Sequence, residues 1–486
     1  MAVTALLVVV SHRGHRYRCS PDIAVGITGR KASRREPLVG PVPRVRHRRC
    51  KKPCVKPLTQ GLCRENGQVA TIRRLVGEDA DILGERQFQL LLLANILAPM
   101  GTSLLSPILD SLIGPFGTSA ANIGLMISVF TTPAIVVIPI AGVLADRYGR
   151  RPVLVFGLLC FGGAGSAIAL TSDFRVALFL RLLQGVGFAA LSPIIITSVG
   201  DLYSGPKEAA GQGLRFASSG LVQTVFPLAA AALVALAWQY PFLLQLIAFP
   251  IAIAVYVWFE EPVDPDSDRS TNDEPAVAQL RNLWALVSQR RAAAMVIARG
   301  TPVMVWIGFL TYNSILVVQV LDGTPAQAGI LAALGSLSYS ASATQAGRIT
   351  AYFESRLSLL IGMNVALALG ISVVFLAPSI WLAFGGIVVM GIGFGVILSI
   401  YRSIVTDLAP PELRGGLVSL AEGFGRATST LTPIGMGAGI AIGTPRIGFG
   451  LSVQLVGVIS GVVAAAVGIV CLLVLNAAPP IESPTE

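Results

Sequence analysis

The sequence predicts an all-α membrane protein, with twelve transmembrane helices in two pseudo-symmetric six-helix bundles. Three observations carry that prediction. The chain is 53% hydrophobic and 13% charged, whereas soluble domains carry about 25% charged residues; its mean hydropathy is +0.72. Charge-free windows recur at lengths that cross a bilayer, about 20 residues per helix. The apolar part also repeats itself at a constant offset.

In chain order, span 1 is Gln87–Leu109, span 2 Ile123–Ala145, span 3 Pro152–Ser172 and span 4 Leu182–Gly200. Phe216–Phe259 is long enough for spans 5 and 6 and breaks at "WQYP" (Trp238–Pro241). Span 7 is Gly300–Leu321 and span 8 Gly323–Gly347. Leu357–Tyr401 holds spans 9 and 10 on either side of "APS" (Ala377–Ser379). Span 11 lies in Gly415–Ile440, which contains two charges, and span 12 in Ile447–Leu475. The resulting organisation is a leader (1–86), a first bundle (87–259), a linker (260–291), a second bundle (292–475) and a tail (476–486).

The repeat shows in spans 4–5 and 10–11. "GVGFAAL" (Gly185–Leu191) begins 16 residues before Asp201, and "GIGFGVI" (Gly391–Ile397) begins 16 residues before Asp407. Pro227 and Pro433 follow each Asp by 26 residues, so three features share one offset of 206. Internal repeats of this kind mark secondary transporters. Between the halves runs an acidic, breaker-rich linker, "EEPVDPDSDRSTNDEPA" (Glu260–Ala276). Val277–Arg291 then places Val277, Leu280, Leu283, Trp284 and Val287 on one helical face, as in a helix lying along the membrane surface.

The formal charge of +10 is local: residues 1–86 hold 18 of 36 Lys+Arg and 7 of 26 Asp+Glu, leaving 18 and 19 beyond, a net of −1. Such a body gives no reason to expect nucleic acid. The positive-inside rule sets the topology. Arg147, Arg150, Arg151, Lys207, Arg269, Arg281, Arg290, Arg291, Arg348, Arg356, Arg402 and Arg414 share one side with the leader, against Arg175 and Arg446 opposite. Both termini are therefore expected in the cytoplasm, and the protein in the cell membrane.

The leader holds all three His and four of the six Cys. Cys50, Cys54 and Cys63 lack the second pair that finger and ribbon sites use, so no metal is expected. Met1–Val10 has neither a basic n-region nor a small-residue cleavage site. The leader reads as a disordered basic tail, or as a start placed too far upstream. Cys160 and Cys471 read as apolar fillers.

"GVLADRYGRR" (Gly142–Arg151) joins spans 2 and 3. Gly142 permits close helix approach and Gly149 a tight turn. Asp146 can pair with Arg150 and with the positive end of a neighbouring helix. Here the sequence resembles the major facilitator superfamily, whose pattern in this loop is G-x-L-a-D-R-x-G-R-R. Gly142, Leu144, Asp146, Arg147, Gly149, Arg150 and Arg151 match it. A second family pattern, R-x-x-Q-G-x-G-x-A, matches Arg181, Gln184, Gly185, Gly187 and Ala189. The resemblance covers about residues 87–475 and implies a major facilitator fold. It also implies a gate formed by the loop residues with Asp201, whose contacts exist only when the halves meet on the cytoplasmic side. The second-half counterpart, "AGRITAYFESR" (Ala346–Arg356), keeps Gly347 and Arg356 but has no Asp where Asp146 stands.

An ionisable group inside a span costs about 2.5–3.5 kcal/mol on insertion scales. Arg181, Arg215, Arg299, Arg426 and Glu422 incur that cost. Glu422 and Arg426 stand at i,i+4 and can pair; Glu422 is the first candidate for proton coupling. The family links the span-4 motif to proton transfer, which makes Arg181 a coupling residue by resemblance, or else a structural tie to span 1 near Asn95. Arg215 reads as a snorkelling side chain. Asn95, Arg299, Tyr312, Asn313 and Arg426 are the candidate cavity residues, with a helix–helix hydrogen bond the other reading of Tyr312 and Asn313.

The motif set looks like the drug:proton antiporter branch. That branch carries a span-5 motif ending G-P-x-x-G-G, for which this chain has "FPLAAAA" (Phe226–Ala232). The expected function is a secondary active transporter that moves a small organic solute by alternating access, in proton-coupled efflux. The alternatives are a proton-coupled importer and a non-transporting sensor. An enzyme is not expected: no His follows His47, and no G-x-x-x-x-G-K-[ST] loop is present. No catalytic residue or cofactor is assigned. The expected partners are a small-molecule solute, protons and the lipid bilayer, with no nucleic acid, and the protein is expected to be a monomer.

Overall fold

The computed structural model describes residues 78–261, 285, 288–353, 355–408 and 414–477. The leader up to residue 77, nearly all of the linker with its amphipathic segment, Asp407's side chain and the tail lie outside them. All described residues belong to one unit, Arg64–Glu486.

Among the described residues, nine helices are long and apolar enough to cross a membrane, and they correspond to spans 2–7, 9, 10 and 12. Spans 8 and 11 are also continuous helices, Pro325–Ala351 and Arg414–Ile447, whose Ser, Thr and Gly content dilutes their hydropathy. Span 1 is helical in three pieces, Arg86–Asn95, Leu97–Ser103 and Leu109–Ile113. Pro107 stands in the second gap. It has no N–H to give, and its ring crowds the carbonyl of the fourth residue before it.

Several helices outrun the charge-free windows that announced them. Span 4 runs Phe174–Leu202, span 5 Pro206–Val234, span 7 from Arg290 and span 10 Ile380–Leu408. A helix ends where its backbone is capped or broken, not at the first charge. Asp173 accepts the N–H groups of Arg175 and Val176 to start span 4. Thr324 and Gln327 form a capping box at span 8, and Gly205, at φ 61°, turns the chain into span 5.

The offset of 206 holds in the backbone. Spans 3 and 9 begin at Arg150 and Arg356, spans 4 and 10 at Phe174 and Ile380, and the latter pair end at Leu202 and Leu408. It also holds in packing. A Cβ on Gly187 would lie 2.5 Å from the Phe161 nitrogen and 2.7 Å from the Gly157 oxygen. On Gly393 it would lie 2.9 Å from the Met363 oxygen and 3.1 Å from the Leu367 nitrogen. The contacted pairs, 157 and 161 against 363 and 367, are themselves 206 apart. Both glycine-rich segments therefore do one job: they let a span-4 or span-10 backbone rest directly on its neighbour.

The halves meet along a polar seam on the side opposite the 142–151 loop. The Asp110 amide donates to Ser314 Oγ at 3.0 Å, and Gln319 donates to Asp110. Thr131 and Thr430 share a 3.0 Å hydrogen bond, and Gln223 donates to the Tyr339 hydroxyl at 3.2 Å. Hydroxyls and amides suit such a seam, since each bond exchanges for another without stranding a charge.

Gly187→Val and Gly393→Val are each expected to cost about 1–3 kcal/mol through overpacking, read as a lower melting temperature in detergent. Gly163→Ala, whose Cβ would meet nothing nearer than 3.9 Å, is expected to leave melting unchanged or slightly raised.

Candidate interior charge site and loop network

Gly149 turns from span 2 into span 3 at φ 95°, and its missing side chain makes room for a carboxylate. A Cβ there would lie 2.9 Å from the Glu261 carboxyl carbon. Glu261, just beyond span 6, accepts the backbone N–H of Arg150 and that of Arg151, the latter at 3.1 Å. Two orphan amides of a helix start are thus satisfied by a negative group at the positive end of the helix. The Arg150 guanidinium binds Asp146 Oδ1 at 2.9 Å and Asp201 Oδ2 at 3.0 Å. Arg147 lies against the ring of Tyr148 and Arg151 against that of Tyr256.

Two expectations about this loop change. Asp146, Arg150 and Asp201 all belong to the first half, so these ion pairs do not require the second half to close on them. Gly142 makes no close helix approach: a Cβ there would meet no heavy atom within 4 Å. Its neighbours Val143 and Leu144 are exposed, because this face of span 2 has no helix packed tightly on it.

The same side is stitched further by Glu85, which accepts Lys207 Nζ at 2.8 Å and the Tyr203 hydroxyl at 2.7 Å. The hydrogen bond from Lys207, with that from Tyr203, holds the Glu85 carboxyl below its usual range. Burial, with Glu85 beside it, pushes the Tyr203 phenol up. Gln87 bonds the Trp258 carbonyl and the Glu260 amide.

Arg181 is fully buried. Its guanidinium donates to the Gly101 and Met126 carbonyls at 2.9 Å each and to Gln184 Oε1 at 2.6 Å, and it lies 4.4 Å over the Phe130 ring. Gln184 passes the chain on to Gln245. Arg181 thus ties span 4 to spans 1 and 2, through carbonyls rather than through Asn95. Asn95 instead donates to the Arg215 carbonyl, Ser218 and Ser219. It is 3% exposed and fastens span 1 to span 5 rather than lining open space.

The interior charges gather elsewhere. Arg299 donates to Glu422 Oε1 at 2.7 Å, joining spans 7 and 11. The i,i+4 pairing expected for Glu422 with Arg426 gives way to this one. Arg426 instead lays its guanidinium 5.0 Å over the ring of Phe188 in span 4, while Glu422 still acts on it electrostatically. Arg215 does not snorkel; it donates to Gln212 and Asn95 and feels both Arg402 and Glu422. Arg402, expected in a loop, lies six residues inside the end of span 10, 5.1 Å over Phe216, and interacts electrostatically with Glu422, Arg299 and Tyr339. The Glu422 side chain is 44% exposed although it stands two turns inside its helix.

Tyr312 and Asn313 are fully buried in the seam. Tyr312 donates to the Pro433 carbonyl at 3.3 Å, and Asn313 to Ser106 and the Ala328 carbonyl. Asn313 crosses to the first half through Ser106, whereas Tyr312 ties span 7 to span 11 within the second. Apart from all of these, spans 7, 11 and 12 enclose a groove of about 750 Å³ walled by Leu431, Ile442, Leu455 and Ile459, apolar as a lipid-facing groove is.

Glu261 and Arg402 escaped the sequence reading. The repeat offered one signal for Arg402: Asp407 matches Asp201 at the end of span 4, which puts Arg402 inside span 10. Nothing local marks Glu261 as the cap of a helix that begins 111 residues earlier.

The family model described as "Major Facilitator Superfamily" matches residues 91–433 and 303–486. The chain belongs to the major facilitator superfamily. A bacillibactin exporter of Bacillus subtilis (strain 168) is 35% identical over 30% of this chain and 38% of its own length. A class B tetracycline resistance protein of Escherichia coli is 23% identical over 71% of this chain and 86% of its own. The chain thus spans under two fifths of the first relative and most of the second. Among solved structures, a bacterial homologue of the human lysosomal transporter Spinster, inward-facing and occupied, superposes with TM-score 0.68. It is 16% identical and covers 82% of this chain and 98% of that one, a likeness of fold. This superfamily member is a multi-pass membrane transporter, and not an enzyme.

Glu261→Ala is expected to lower thermal stability in detergent by about 1 kcal/mol, the usual worth of a helix cap, with Glu261→Gln losing less. The lowered Glu85 carboxyl contributes stability above the ordinary carboxylate range and loses it as pH falls through its folded value. The pair is exposed, so Glu85→Gln is expected to flatten the acid limb of melting temperature against pH by only about 0.5 kcal/mol.

Proposed function

We propose that this transporter expels a small organic solute across the cell membrane by alternating access, coupled to protons through Glu422. The observation that carries the reading is the Arg299–Glu422 pair, 2.7 Å apart with the Glu422 side chain 44% exposed, in an interior that both halves line. A proton on Glu422 cancels its pairing with Arg299, so proton occupancy and interior charge change together. The likeness to exporters supports the outward direction. Asp146, Arg147, Gly149, Arg150, Arg151 and Asp201 serve as the cytoplasmic gate, a rigid rim against which the second half closes. Arg181 acts as a positioning residue, since its hydrogen-bond partners are carbonyls and an amide, which do not titrate in this range. The protein works as a monomer with both termini in the cytoplasm.

A proton-coupled importer is the second reading, and one observation favours it. The proton that neutralises Glu422 also releases Arg299. A solute that uses Arg299 would therefore bind together with the proton, as in symport, whereas one that donates to Glu422 would compete with it, as in antiport.

Everted vesicles separate these readings. Efflux is expected to show as compound-evoked loss of luminal protons, followed by recovery of acridine-dye fluorescence, and to vanish in Glu422→Gln. Asp146→Asn, which weakens a half-exposed ion pair worth about 0.5–1 kcal/mol, is expected to slow it two- to five-fold. Accumulation of labelled compound in right-side-out vesicles, without efflux in everted ones, would overturn the outward direction.

A further inference from the structure

The occupant of the interior site is legible from its charges, given the carrier reading above. Glu422 is bonded by Arg299 of span 7 and interacts electrostatically with Arg215 of span 5, Arg402 of span 10 and Arg426 of span 11. Among the described residues, Arg215, Arg299 and Arg426 bring three positive charges against the one negative charge of Glu422. Arg215 donates to the neutral Gln212 and Asn95, and Arg426 rests on a ring. The positive charges repel one another wherever water is thin.

The cluster also has an apolar wall. Phe216, which carries Arg402 on its face, is edge-on to Tyr339 at 6.3 Å; Tyr339 meets Trp306 at 5.5 Å, and Trp306 stacks on Phe394 at 5.1 Å. Tyr339, Trp306 and Phe394 are buried behind the half-buried Phe216, which is the ring left to meet a flat, conjugated body, and guanidinium forks match acidic oxygens two at a time. The groove between spans 7, 11 and 12 has no aromatic wall and a single guanidinium, that of Arg446.

We propose that the transported solute is an organic anion, a carboxylate or sulfonate on an aromatic body, whose acidic group takes the place of Glu422 at Arg299. In the empty carrier Glu422 is the stand-in anion: it neutralises Arg299 until the solute displaces it. An anion that takes Arg299 as Glu422 gains a proton follows the second, symport reading of the coupling, whatever the direction in which the membrane potential drives it.

Two xanthene dyes test this with one ring system and opposite charge, carboxyfluorescein as the anion and rhodamine 6G as the cation. Fluorescence polarisation with purified protein in neutral detergent is blind to transport direction, so its failure would leave the efflux reading standing for another solute. The wild type is expected to bind carboxyfluorescein at least tenfold more tightly than rhodamine 6G. Glu422→Gln, which removes the competing carboxylate, is expected to tighten it several-fold further. Arg299→Gln leaves Glu422 uncompensated and can fail to fold. The double variant Arg299→Gln with Glu422→Gln removes the pair whole, and is expected to weaken the anionic dye tenfold or more. Preference for rhodamine 6G, loosening of carboxyfluorescein by Glu422→Gln, no weakening in the double variant, or no binding of the anion at millimolar dye would each overturn the proposal.

Discussion

A charge carried into a bilayer finds no water to answer it, so the chain itself must supply the answer. Each arginine of the body meets that demand differently. Arg181 takes backbone carbonyls, one of which, Gly101, lies in the last turn of a short helix whose end leaves carbonyls without helical partners. The buried Arg181 in turn ties spans 1, 2 and 4. Arg150 takes two carboxylates at the membrane edge. Arg299 takes Glu422, and that exchange leaves the interior cationic.

The two halves share a frame and divide the labour. Glycines at equivalent positions bring span 4 onto span 3 and span 10 onto span 9 with the same contacts. Among the described residues, the first half's loop side gathers Glu85, Asp146, Asp201 and Glu261 around Lys207, Arg150 and the start of span 3. In the interior the asymmetry reverses: three of the four clustered arginines, and Glu422, belong to the second half. One half is built as a stiff rim, the other presents most of the charge that a solute would meet.

Polar residues of the seam follow a third logic. Ser106, Thr131, Tyr312, Asn313 and Thr430 make hydrogen bonds between neutral groups across or beside the boundary of the halves. Neutral bonds can part and re-form at modest cost, whereas a buried ion pair that loses one partner leaves a charge stranded. Tyr312 and Asn313 looked like cavity residues because they are polar and mid-membrane, yet the same features suit a boundary that must open.

Twelve spans, the 206-residue repeat and the loop motif were all legible from residue types and spacing. They depend on quantities a sequence carries directly: apolar length, periodicity, and glycine where no Cβ fits. The Asp146–Arg150 pair was legible too, since four residues on one helical path bring them together. What tertiary structure alone decided was partnership across helices. Glu422 had Arg426 one turn away, but bonded Arg299 from another helix. Arg150 gained Asp201, and its backbone gained Glu261, from segments 51 and 111 residues distant. An ion pair forms where distance and desolvation are lowest together, and distance across a bundle is a property of packing that no linear spacing encodes.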